Sequence, residues 1–473
     1  MLSTAAMPLR SLPFCVLLIP LAACEQAPAP VAPSAPRIAA GPLRPVRVSA
    51  EIAAFYRDRG ARPLWVDRRG PRPEALKLAA AVAGAADHGL DPARYGAADL
   101  AAALDAARSG DPAARARADL LLSRAYAGFV RDLRVPERGK GSVVWVDPEL
   151  APSAPDARAL LEAAAAAPDL GRHVAETLAM NPLYTALSRG YARRRASGPS
   201  LSAAEEKAIR ANLDRARLIP ARRGRYVIVD AGSARLWMID GDRVEGPMRV
   251  IVGKPSMQTP TLAGFIRYVT LNPWWNVPPD LARERAKKVL RSGPGLLRRE
   301  NMELLSDWSD RPSPIPASRV NWKAVASGKA SLRMRQRPGG ANVMGAMKFM
   351  LPNRLGIYLH DFPDKSLFGR SDRRISSGCV RLEDAPRLAR FLFRGAAPRP
   401  AGPAPEQNVD LPEPVPVYIT YLTALPDPAR GVALQRDVYA RDDRPPAAAG
   451  RGLRASPGPR LGLSRREAAA KRA

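Results

Sequence analysis

The hydrophobic and polar positions divide the chain into a helical part and a β-rich part. From about residue 49 to 187, Ala and Leu recur at helical spacing between Arg and Glu, as in 74–83 and 114–126. Asp/Gly turns separate these stretches, and a further helical stretch covers 202–218. The pattern predicts an all-helical domain over 49–187, followed by a helical connector over 188–223.

The pattern changes at Gly224, where short runs of β-branched and aromatic residues alternate with Asp/Gly turns. The runs at 225–230 and 234–240 are the first of several predicted strands, in hairpins and meanders. An Arg-rich helical stretch interrupts the strands, and strand patterns resume after it. We therefore expect an α+β protein, with a β-rich domain over 224–441 and a helical lid inserted at about 279–335.

The end of the β-rich domain is rich in Pro. Residues 411–416 are predicted to lead into a last hairpin formed by 417–423 and 432–439. The remaining residues, 442–473, are basic and rich in Pro, Gly and Ala, a composition typical of a disordered tail.

The N-terminal segment predicts export. Arg10 precedes an apolar run over 12–24 that is too short and too interrupted by Pro for a stable membrane span, but suits a secretory signal. The run closes with Leu-Ala-Ala-Cys, which resembles a lipobox whose Cys24 becomes the lipidated first residue. An ordinary secretory signal with a chance Cys nearby is the alternative. Residues 1–23 are then a signal peptide, and 24–48 form a Pro/Ala-rich linker.

Length and charge change this picture little. A chain of 473 residues is expected to hold two or more domains. Its formal net charge of +29 would by itself favour a polyanionic partner such as nucleic acid. However, the excess Arg is scattered, and no compact Lys/Arg block with interleaved aromatic residues is present in the sequence. Since the chain also carries an export signal, we predict no nucleic-acid partner.

Cys379 is the residue whose presence requires a chemical reason. Cys15 would leave with the signal peptide and Cys24 would carry lipid, so Cys379 would remain without a disulfide partner in an oxidising compartment. His360 ends an apparent strand, and Cys379 lies at a turn before an apparent helix. Imidazole takes up a thiol proton and the thiolate attacks a carbonyl, so this pair is the minimal apparatus for acyl transfer.

Neighbouring residues fit that chemistry. Gly378 permits a close backbone approach, so the N–H groups at 378–379 are candidate oxyanion donors. Arg381 would add positive charge near the thiolate or near a substrate carboxylate. Against this, a lone Cys is more often a small buried hydrophobe, and Ser376 and Ser377 are ordinary turn formers. With three His and no Cys or His pair at ligand spacing, we predict neither a metal site nor a cofactor.

His360, followed later by Ser-Ser-Gly-Cys379-Val-Arg-Leu, resembles the active-site motif of L,D-transpeptidases with a YkuD-type catalytic domain, commonly Ser-His-Gly-Cys-(Val/Ile)-Arg. Ser377 stands where many members have His, as in the large, lidded subfamily typified by YcbB. Similarity to that subfamily covers most of 50–440, including its helical scaffold domain. The helical peptidoglycan-binding module usual in the subfamily has no evident match. Further matching stretches are Phe55-Tyr56, His88-Gly-Leu-Asp-Pro, Leu271-Asn-Pro-Trp-Trp-Asn-Val-Pro-Pro, Arg335-Gln-Arg-Pro-Gly and Met347-Lys-Phe-Met-Leu-Pro-Asn.

The resemblance implies a specific reaction. Cys379 attacks the carbonyl between meso-diaminopimelate and D-Ala in a tetrapeptide stem of peptidoglycan, with His360 as base and then acid. The N–H groups of Gly378 and Cys379, with Tyr358, hold the oxyanion. The side-chain amine of a second diaminopimelate accepts the acyl group, giving a 3→3 cross-link, and carbapenems are expected to acylate the same Cys. The implied catalytic residues are Cys379, His360, Gly378, Ser377 and Arg381, and the implied substrate-binding residues are Tyr358, Trp275, Asn276 and Ser376.

Other functions are compatible with the same motif or the same fold. Water as acceptor would give an L,D-carboxypeptidase that trims tetrapeptides, and a protein amine is another acceptor. A decayed site would leave a non-catalytic wall-tethering lipoprotein, but Cys379, His360 and Arg381 are all intact. The expected partners are peptidoglycan stem peptides, a membrane through the lipid anchor, and other cell-wall synthesis enzymes. The expected location is the periplasm.

Overall fold

The structure is a computed structural model that describes residues 46–136, 143–220 and 224–442. The predicted signal peptide, Cys24 with most of its linker, and the tail from 443 onward lie outside these residues. Within the described part of the chain, no helix is both long and apolar enough to cross a membrane.

The helical part forms one apolar core from helices, most of which begin at a residue whose side chain caps the first turn. The Ser49 side chain accepts the Ile52 N–H at the start of the first helix, and Ser202 forms a capping box with Glu205 at the start of the eighth. The predicted helical domain is therefore confirmed. Its helices are α1 (Ala50–Asp58), α2 (Pro73–Ala83), α3 (Ala97–Ala106), α4 (Pro112–Arg134), α5 (Ala157–Ala166), α6 (Leu170–Leu178), α7 (Pro182–Ser197) and α8 (Ala203–Arg217).

Short strands accompany these helices. The hairpin of β1 (Val66–Asp67) and β2 (Gly70–Pro71) stays within the helical part. In contrast, β3 (Val144–Trp145) pairs in parallel with Leu262 and Ala263 of the β-rich part. Two-residue strands have no periodicity to detect, so the sequence pattern does not indicate that the helical part contributes to the neighbouring sheet.

The β-rich part is a sheet closed into a ring of eight strands. The strands are β4 (Arg225–Asp230), β5 (Arg235–Asp240), β6 (Arg243–Gly253), β7 (Leu262–Leu271), β11 (Met347–Met350), β12 (Leu359–Asp361), β14 (Val380–Leu382) and β15 (Gln407–Thr420). Hydrogen-bonded neighbours follow the order β4-β5-β6-β14-β12-β11-β7-β15 and return to β4, and the short β13 (Arg374–Ser376) pairs with β6. Buried side chains of the ring, such as Val227 and Val250, share a core with α12 (Ala385–Phe393).

The predicted last hairpin is wrong. Residues 417–420 end β15, which pairs with β4 and β7, and the final hairpin is instead β16 (Ala424–Asp427) with β17 (Gly431–Leu434). The Pro-rich residues 411–416 lie within β15, where the register with β7 shifts between Asp410 and Val415. A bulge accommodates proline because it takes residues out of the hydrogen-bonded ladder.

The insertion between β7 and β11 has a core of its own. It consists of β8 (Trp275–Asn276), α9 (Pro279–Ser292), α10 (Gly295–Arg299), β9 (Met302–Leu305), α11 (Trp322–Ala326) and β10 (Arg333–Gln336). Its strands form a separate sheet in the order β8-β10-β9, which strand sequences of two to four residues do not indicate. Ala286, Leu304 and Met334 are buried within it. Its two ends meet where the Asn272 N–H donates to the Ala346 carbonyl oxygen (3.2 Å).

Helix α7 packs against the β16–β17 hairpin through two glycines. A Cβ on Gly190 would collide with the carbonyl oxygen of Gly431. Ala424 and Val432 of the same hairpin are buried in the core of the helical part. The end of the β-rich part therefore completes the core of the helical part, and the close approach of the two backbones requires glycine.

We expect Gly190→Ala to reduce the free energy of unfolding by about 1–3 kcal/mol, because the added methyl group overpacks this contact. Thermal unfolding followed by circular dichroism measures the effect. Gly128→Ala in α4 is the matched control, since its Cβ would meet the Tyr95 ring at an ordinary 3.6 Å. Higher helix propensity should make that variant more stable by about 0.5–1 kcal/mol. Equal melting temperatures for the two variants would contradict the packing argument.

Candidate active site

The candidate site lies where β11, β12 and β14 run side by side. Lys348 is opposite His360 in the antiparallel β11–β12 pair, and His360 is opposite Arg381 in the parallel β12–β14 pair. Residues paired across neighbouring strands direct their side chains to the same face of the sheet. A lysine, a histidine and an arginine therefore form a row across three strands.

Cys379 lies directly before β14, two residues from Arg381, and so belongs to the same face. It is a partly buried free thiol. Its Sγ is 3.5 Å from the carbonyl oxygen of Gly356, which accepts its proton. The backbone N–H and the hydroxyl of Tyr358 also face the sulfur and favour the thiolate. The thiol thus points toward the segment before β12, and transfer of its proton to His360 requires the side chain to turn.

The Ser-Ser-Gly-Cys turn is held by two hydroxyl groups. Ser376 Oγ donates to the Cys379 carbonyl oxygen (2.7 Å) and accepts the Gly378 N–H (3.1 Å). Thr259 Oγ1 donates to the Gly378 carbonyl oxygen (2.7 Å) and accepts the Gly253 N–H (2.8 Å). Gly378 has a φ of +114°, a conformation that residues with a Cβ rarely adopt. The turn is therefore fixed by its neighbours, and its glycine is required by the backbone.

The backbone N–H groups of this turn differ in availability. That of Gly378 already donates to Ser376, so in this structure it is not free for the oxyanion role that the sequence motif implies. That of Cys379 has no hydrogen-bond partner among the described residues. The Tyr358 hydroxyl is the second donor near the sulfur. An oxyanion would therefore be held by Cys379 N–H and Tyr358, rather than by Gly378.

A segment at the end of the described chain, residues 437–442, secures the loop that supports the turn. Arg441 Nη2 donates to Gln258 Oε1 at 2.9 Å, beside the Thr259 residue described above. Arg215 of α8 pairs with Asp442 at 2.7 Å. The helical part is thus connected through this segment to the backbone around the candidate nucleophile. The sequence pattern offers no signal for this role.

Two cations flank His360. Lys348 Nζ lies 4.7 Å from the centre of the Tyr358 ring, and the Arg381 guanidinium lies 4.3 Å from that of Phe362. Burial lowers the pKa of both Lys348 and Arg381, and the Cys379 sulfur opposes this effect. Neither cation forms an ion pair with a carboxylate in the described part of the chain. Glu406 acts on Lys348 without forming an ion pair, and the remaining counter-charge for the two cations is left to a thiolate or to a ligand.

His360 is neutral at physiological pH. It is only 1% exposed, and burial, followed by the charge of Arg381, lowers its pKa to about 3. Its Nδ1 lies 2.6 Å from the Asp361 carbonyl oxygen and donates to it in the neutral ring, which leaves Nε2 as a proton acceptor. Burial raises the pKa of the Cys379 thiol, while Tyr358, Lys348 and Arg381 lower it. In the resting site the thiol and the imidazole are therefore both neutral.

The rate of Cys379 alkylation by iodoacetamide is therefore expected to rise about tenfold per pH unit between about pH 6 and pH 8, without an inflection near pH 6.5. The pKa of the thiol lies above its ordinary value and that of His360 lies far below this range, so only the thiolate fraction changes. Initial rates by intact-protein mass spectrometry measure this dependence. A rate that is already constant above pH 7 would indicate a thiolate–imidazolium pair and contradict the neutral pair.

The other residues that were predicted for the site lie in different parts of the structure. Ser377 is exposed at the turn, and Asn276 is exposed on β8 opposite Arg335. Trp275 is 8% exposed within the core of the insertion, with the Arg285 guanidinium 4.9 Å from its ring centre. Substrate binding by Trp275 and Asn276 stays a prediction. In the described residues, no group of three or more His, Cys, Asp or Glu side chains is placed to hold a metal ion.

Lys348 is the site residue that the sequence reasoning missed. Its signal is a single lysine within the short strand Met347–Met350, whose other residues are buried and apolar. A lysine in such a strand must place its ammonium group near a polar site or a ring face. Its proximity to His360 and Cys379 comes from strand register, which local sequence does not specify.

Residues 224–416 match the family model of the L,D-transpeptidase catalytic domain, YkuD. The β-rich part therefore carries an L,D-transpeptidase domain. Residues 50–190 match the model of the Scaffold domain. These two matches cover both halves of the predicted α+β architecture.

A relative from Haemophilus influenzae, described as "Putative L,D-transpeptidase", is 30% identical over 243 residues. The alignment covers 49% of this chain and 47% of that relative, so the chain spans about half the length of the relative. A solved L,D-transpeptidase from Mycobacterium smegmatis is 12% identical, with 41% of this chain and 58% of that chain covered and a TM-score of 0.21.

Proposed function

We propose that this protein is a cysteine L,D-transpeptidase that forms 3→3 cross-links in peptidoglycan through an acyl-enzyme on Cys379. The supporting observation is the row of Lys348, His360 and Arg381 with Cys379 at its end, within the domain that matches the family. A neutral base and a thiol on one face of the sheet, with two cations that form no ion pair with a carboxylate in the described residues, suit acyl transfer on a substrate that carries carboxylates.

In the first half-reaction, the Cys379 sulfur attacks the carbonyl carbon between diaminopimelate and D-Ala, and the thiol proton passes to Nε2 of His360. The oxyanion of the tetrahedral intermediate accepts hydrogen bonds from the Cys379 N–H and the Tyr358 hydroxyl. When the C–N bond breaks, His360 returns the proton to the departing amine of D-Ala. A thioester on Cys379 remains.

In the second half-reaction, the neutral side-chain amine of another diaminopimelate attacks the thioester. His360 takes a proton from this amine and returns it to the sulfur as the C–S bond breaks. The new amide replaces the one that was cleaved, so the reaction needs no external energy source. Carbapenems would acylate Cys379 by the same first step.

The two cations give this reaction its substrate preference. The Arg381 guanidinium can hold a carboxylate with two parallel hydrogen bonds. The Lys348 ammonium lies against the Tyr358 ring, near the position that the oxyanion would occupy. We infer that carboxylates of the donor stem bind at Arg381, while Lys348 acts on the charge that develops at the reacting centre.

We also propose that the protein is exported and held at a membrane through lipid on Cys24, in the periplasm, where stem peptides are present. The insertion between β7 and β11 would act as the lid over the site. The excess positive charge would add non-specific retention on acidic wall polymers, and other cell-wall synthesis enzymes are further candidate partners. Release of the protein from sacculi by salt would support retention by charge.

The test is to incubate the purified protein with disaccharide-tetrapeptides and to analyse the products by mass spectrometry, with Cys379→Ala as the control. Cross-linked tetra-tripeptide dimers, absent with the variant, would establish transpeptidation. Tripeptides alone would replace the proposal by an L,D-carboxypeptidase. Absence of any turnover by folded protein would contradict an enzyme and favour the wall-tethering role.

A further inference from the structure

A second concentration of positive charge lies in a cleft between the β4–β5 turn and the segment that enters β13. The cleft has a volume of about 260 Å³. It is mostly polar, and the polar side chains of its lining include those of Ser233, Arg235, Ser371, Asp372, Arg374 and Gln435. From this cleft, β13 runs directly to the turn that holds Cys379.

Two arginines face each other at this cleft. Arg235 of β5 is directly opposite Arg249 of β6. Like charges in this arrangement destabilise a strand pair unless a counter-charge is present. Glu383 supplies one for Arg249, with Nε 2.8 Å from its carboxylate. Arg235 is exposed, and its side chain has neither a hydrogen bond nor an ion pair among the described residues.

A third arginine is fixed beside them by the backbone. Arg373 donates to the carbonyl oxygens of Val250 (3.2 Å), Arg370 (3.0 Å) and Ala234 (3.1 Å). These bonds hold the guanidinium in place but do not cancel its charge. Burial, and then the charge of Arg235, lowers the pKa of Arg373. The fold thus holds the Arg373 guanidinium at a position where neighbouring positive charges disfavour its charged form.

The acidic groups nearby are too few to balance this cluster. Arg374 pairs with Asp372 at 2.9 Å. Asp230 is fully buried, and its carboxylate accepts hydrogen bonds from Gly232, Ser233 and Leu422. With Glu383 on Arg249, two further carboxylates therefore face the guanidinium groups of Arg235, Arg373 and Arg374, which line the cleft, and of Arg249, which lies next to it. Excess positive charge around an open polar cleft attracts an anion, and guanidinium groups hold carboxylates with directed hydrogen bonds.

We propose that this cleft is a subsite that binds a carboxylate of a peptidoglycan stem peptide, with Arg235 as its main ligand. This rests on the proposed function. The cleft is smaller than the pockets of about 300–1,000 Å³ that hold drug-sized ligands, so it fits one or two residues of a peptide. Asp372 would repel a phosphate, whereas stem peptides carry an ammonium group beside their carboxylates. Ser233, Ser371 and Gln435 add neutral hydrogen-bonding groups.

The first test uses Cys379→Ala protein, which cannot turn over its ligand, titrated with the free tetrapeptide in a calorimeter. Addition of Arg235→Glu should weaken binding by about tenfold or more, the effect of losing one charge-assisted hydrogen bond. Arg243→Glu is the matched control, because it makes the same charge change on β6 at a side chain that is 80% exposed and outside the cleft. It should bind the tetrapeptide as tightly as the parent protein.

Measurements of turnover distinguish a failure of the proposed subsite from a failure of the proposed function. In protein that retains Cys379, Arg235→Glu should raise KM for the tetrapeptide more than it lowers kcat. If Arg235→Glu and Arg243→Glu bind equally while the parent protein cross-links stems, the subsite is wrong and the function stands. If Arg235→Glu loses binding but the parent protein forms no cross-links, the proposed function is wrong. Inorganic phosphate is the second probe, and binding as tight as that of the tetrapeptide would overturn the peptide assignment.

Discussion

Cys379→Ser is expected to reduce the rate of cross-link formation by more than about a thousandfold, to the level of Cys379→Ala. The reason lies in the strength of the base. Burial and Arg381 lower the pKa of His360 to about 3, so the neutral imidazole is a weak proton acceptor. A thiol gives up its proton far more readily than a hydroxyl group, so this site can activate sulfur but not oxygen.

Two measurements check this result: the rate of dimer formation from tetrapeptides, and the covalent carbapenem adduct observed by intact-protein mass spectrometry. Both should be lost in Cys379→Ser. Circular dichroism and thermal unfolding provide the control for folding, since Ser and Cys differ little in volume. A rate within about tenfold of the parent protein would show that His360 is a stronger base than its burial implies, and would contradict the neutral pair.

The candidate pair of Cys379 and His360 could be singled out from sequence because its signals are local. A lone Cys in a chain expected to be exported, next to Gly378 and after a predicted strand that carries His360, predicts acyl transfer. The availability of each backbone N–H group as an oxyanion donor could not be predicted in the same way. It depends on the Ser376 side chain, which accepts the Gly378 N–H and removes it from use. A motif gives the residues of a turn but not the direction of its hydrogen bonds.

The fold, too, could be predicted only where its signals are local in the sequence. Helical periodicity and β-rich runs predict the two parts of the α+β chain, since each pattern is set by side chains close in sequence. The closed ring depends on pairings such as β4 with β15, whose residues are about 190 positions apart. Proline at 412 and 414 obscures β15, and only its bulge reconciles those residues with a strand. Whether a segment such as β15 forms a strand is decided by contacts between residues that are distant in the sequence.

The same limit applies to the charges at the site. Lys348, His360 and Arg381 are separated along the chain, yet strand register places them in one row. Burial, and then the positive charges of Arg381 and Lys348, lower the pKa of His360 and keep its imidazole neutral, because protonation would add a third positive charge in a buried place. The cations also favour the thiolate. The two cations therefore make the Cys379 thiol more acidic and the His360 imidazole less basic. The first effect favours transfer of the thiol proton to His360, and the second opposes it.

Lys348→Met is expected to lower kcat/KM for cross-linking by about 10- to 100-fold, the range of a well-placed charge near a reacting centre. Methionine has a similar length and no charge. The substitution removes a positive charge that lowers the pKa of the Cys379 thiol, so that pKa should rise further. It also removes a charge that lowers the pKa of His360, whose pKa should move upward. Thiolate absorbance as a function of pH measures the first shift, and the pH dependence of turnover measures the second.

Two further variants separate charge from packing. Lys348→Arg keeps the charge and should retain most of the thiol acidity, whereas a role in packing alone would leave the thiol pKa unchanged in all variants. Lys323→Met removes a charge from the exposed face of α11 and should alter neither the thiol pKa nor turnover. If Lys348→Met lowers turnover while the thiol titrates as in the parent protein, Lys348 acts on the oxyanion rather than on the thiolate. If neither changes, the ammonium group has no part in the reaction, and its place beside His360 is structural.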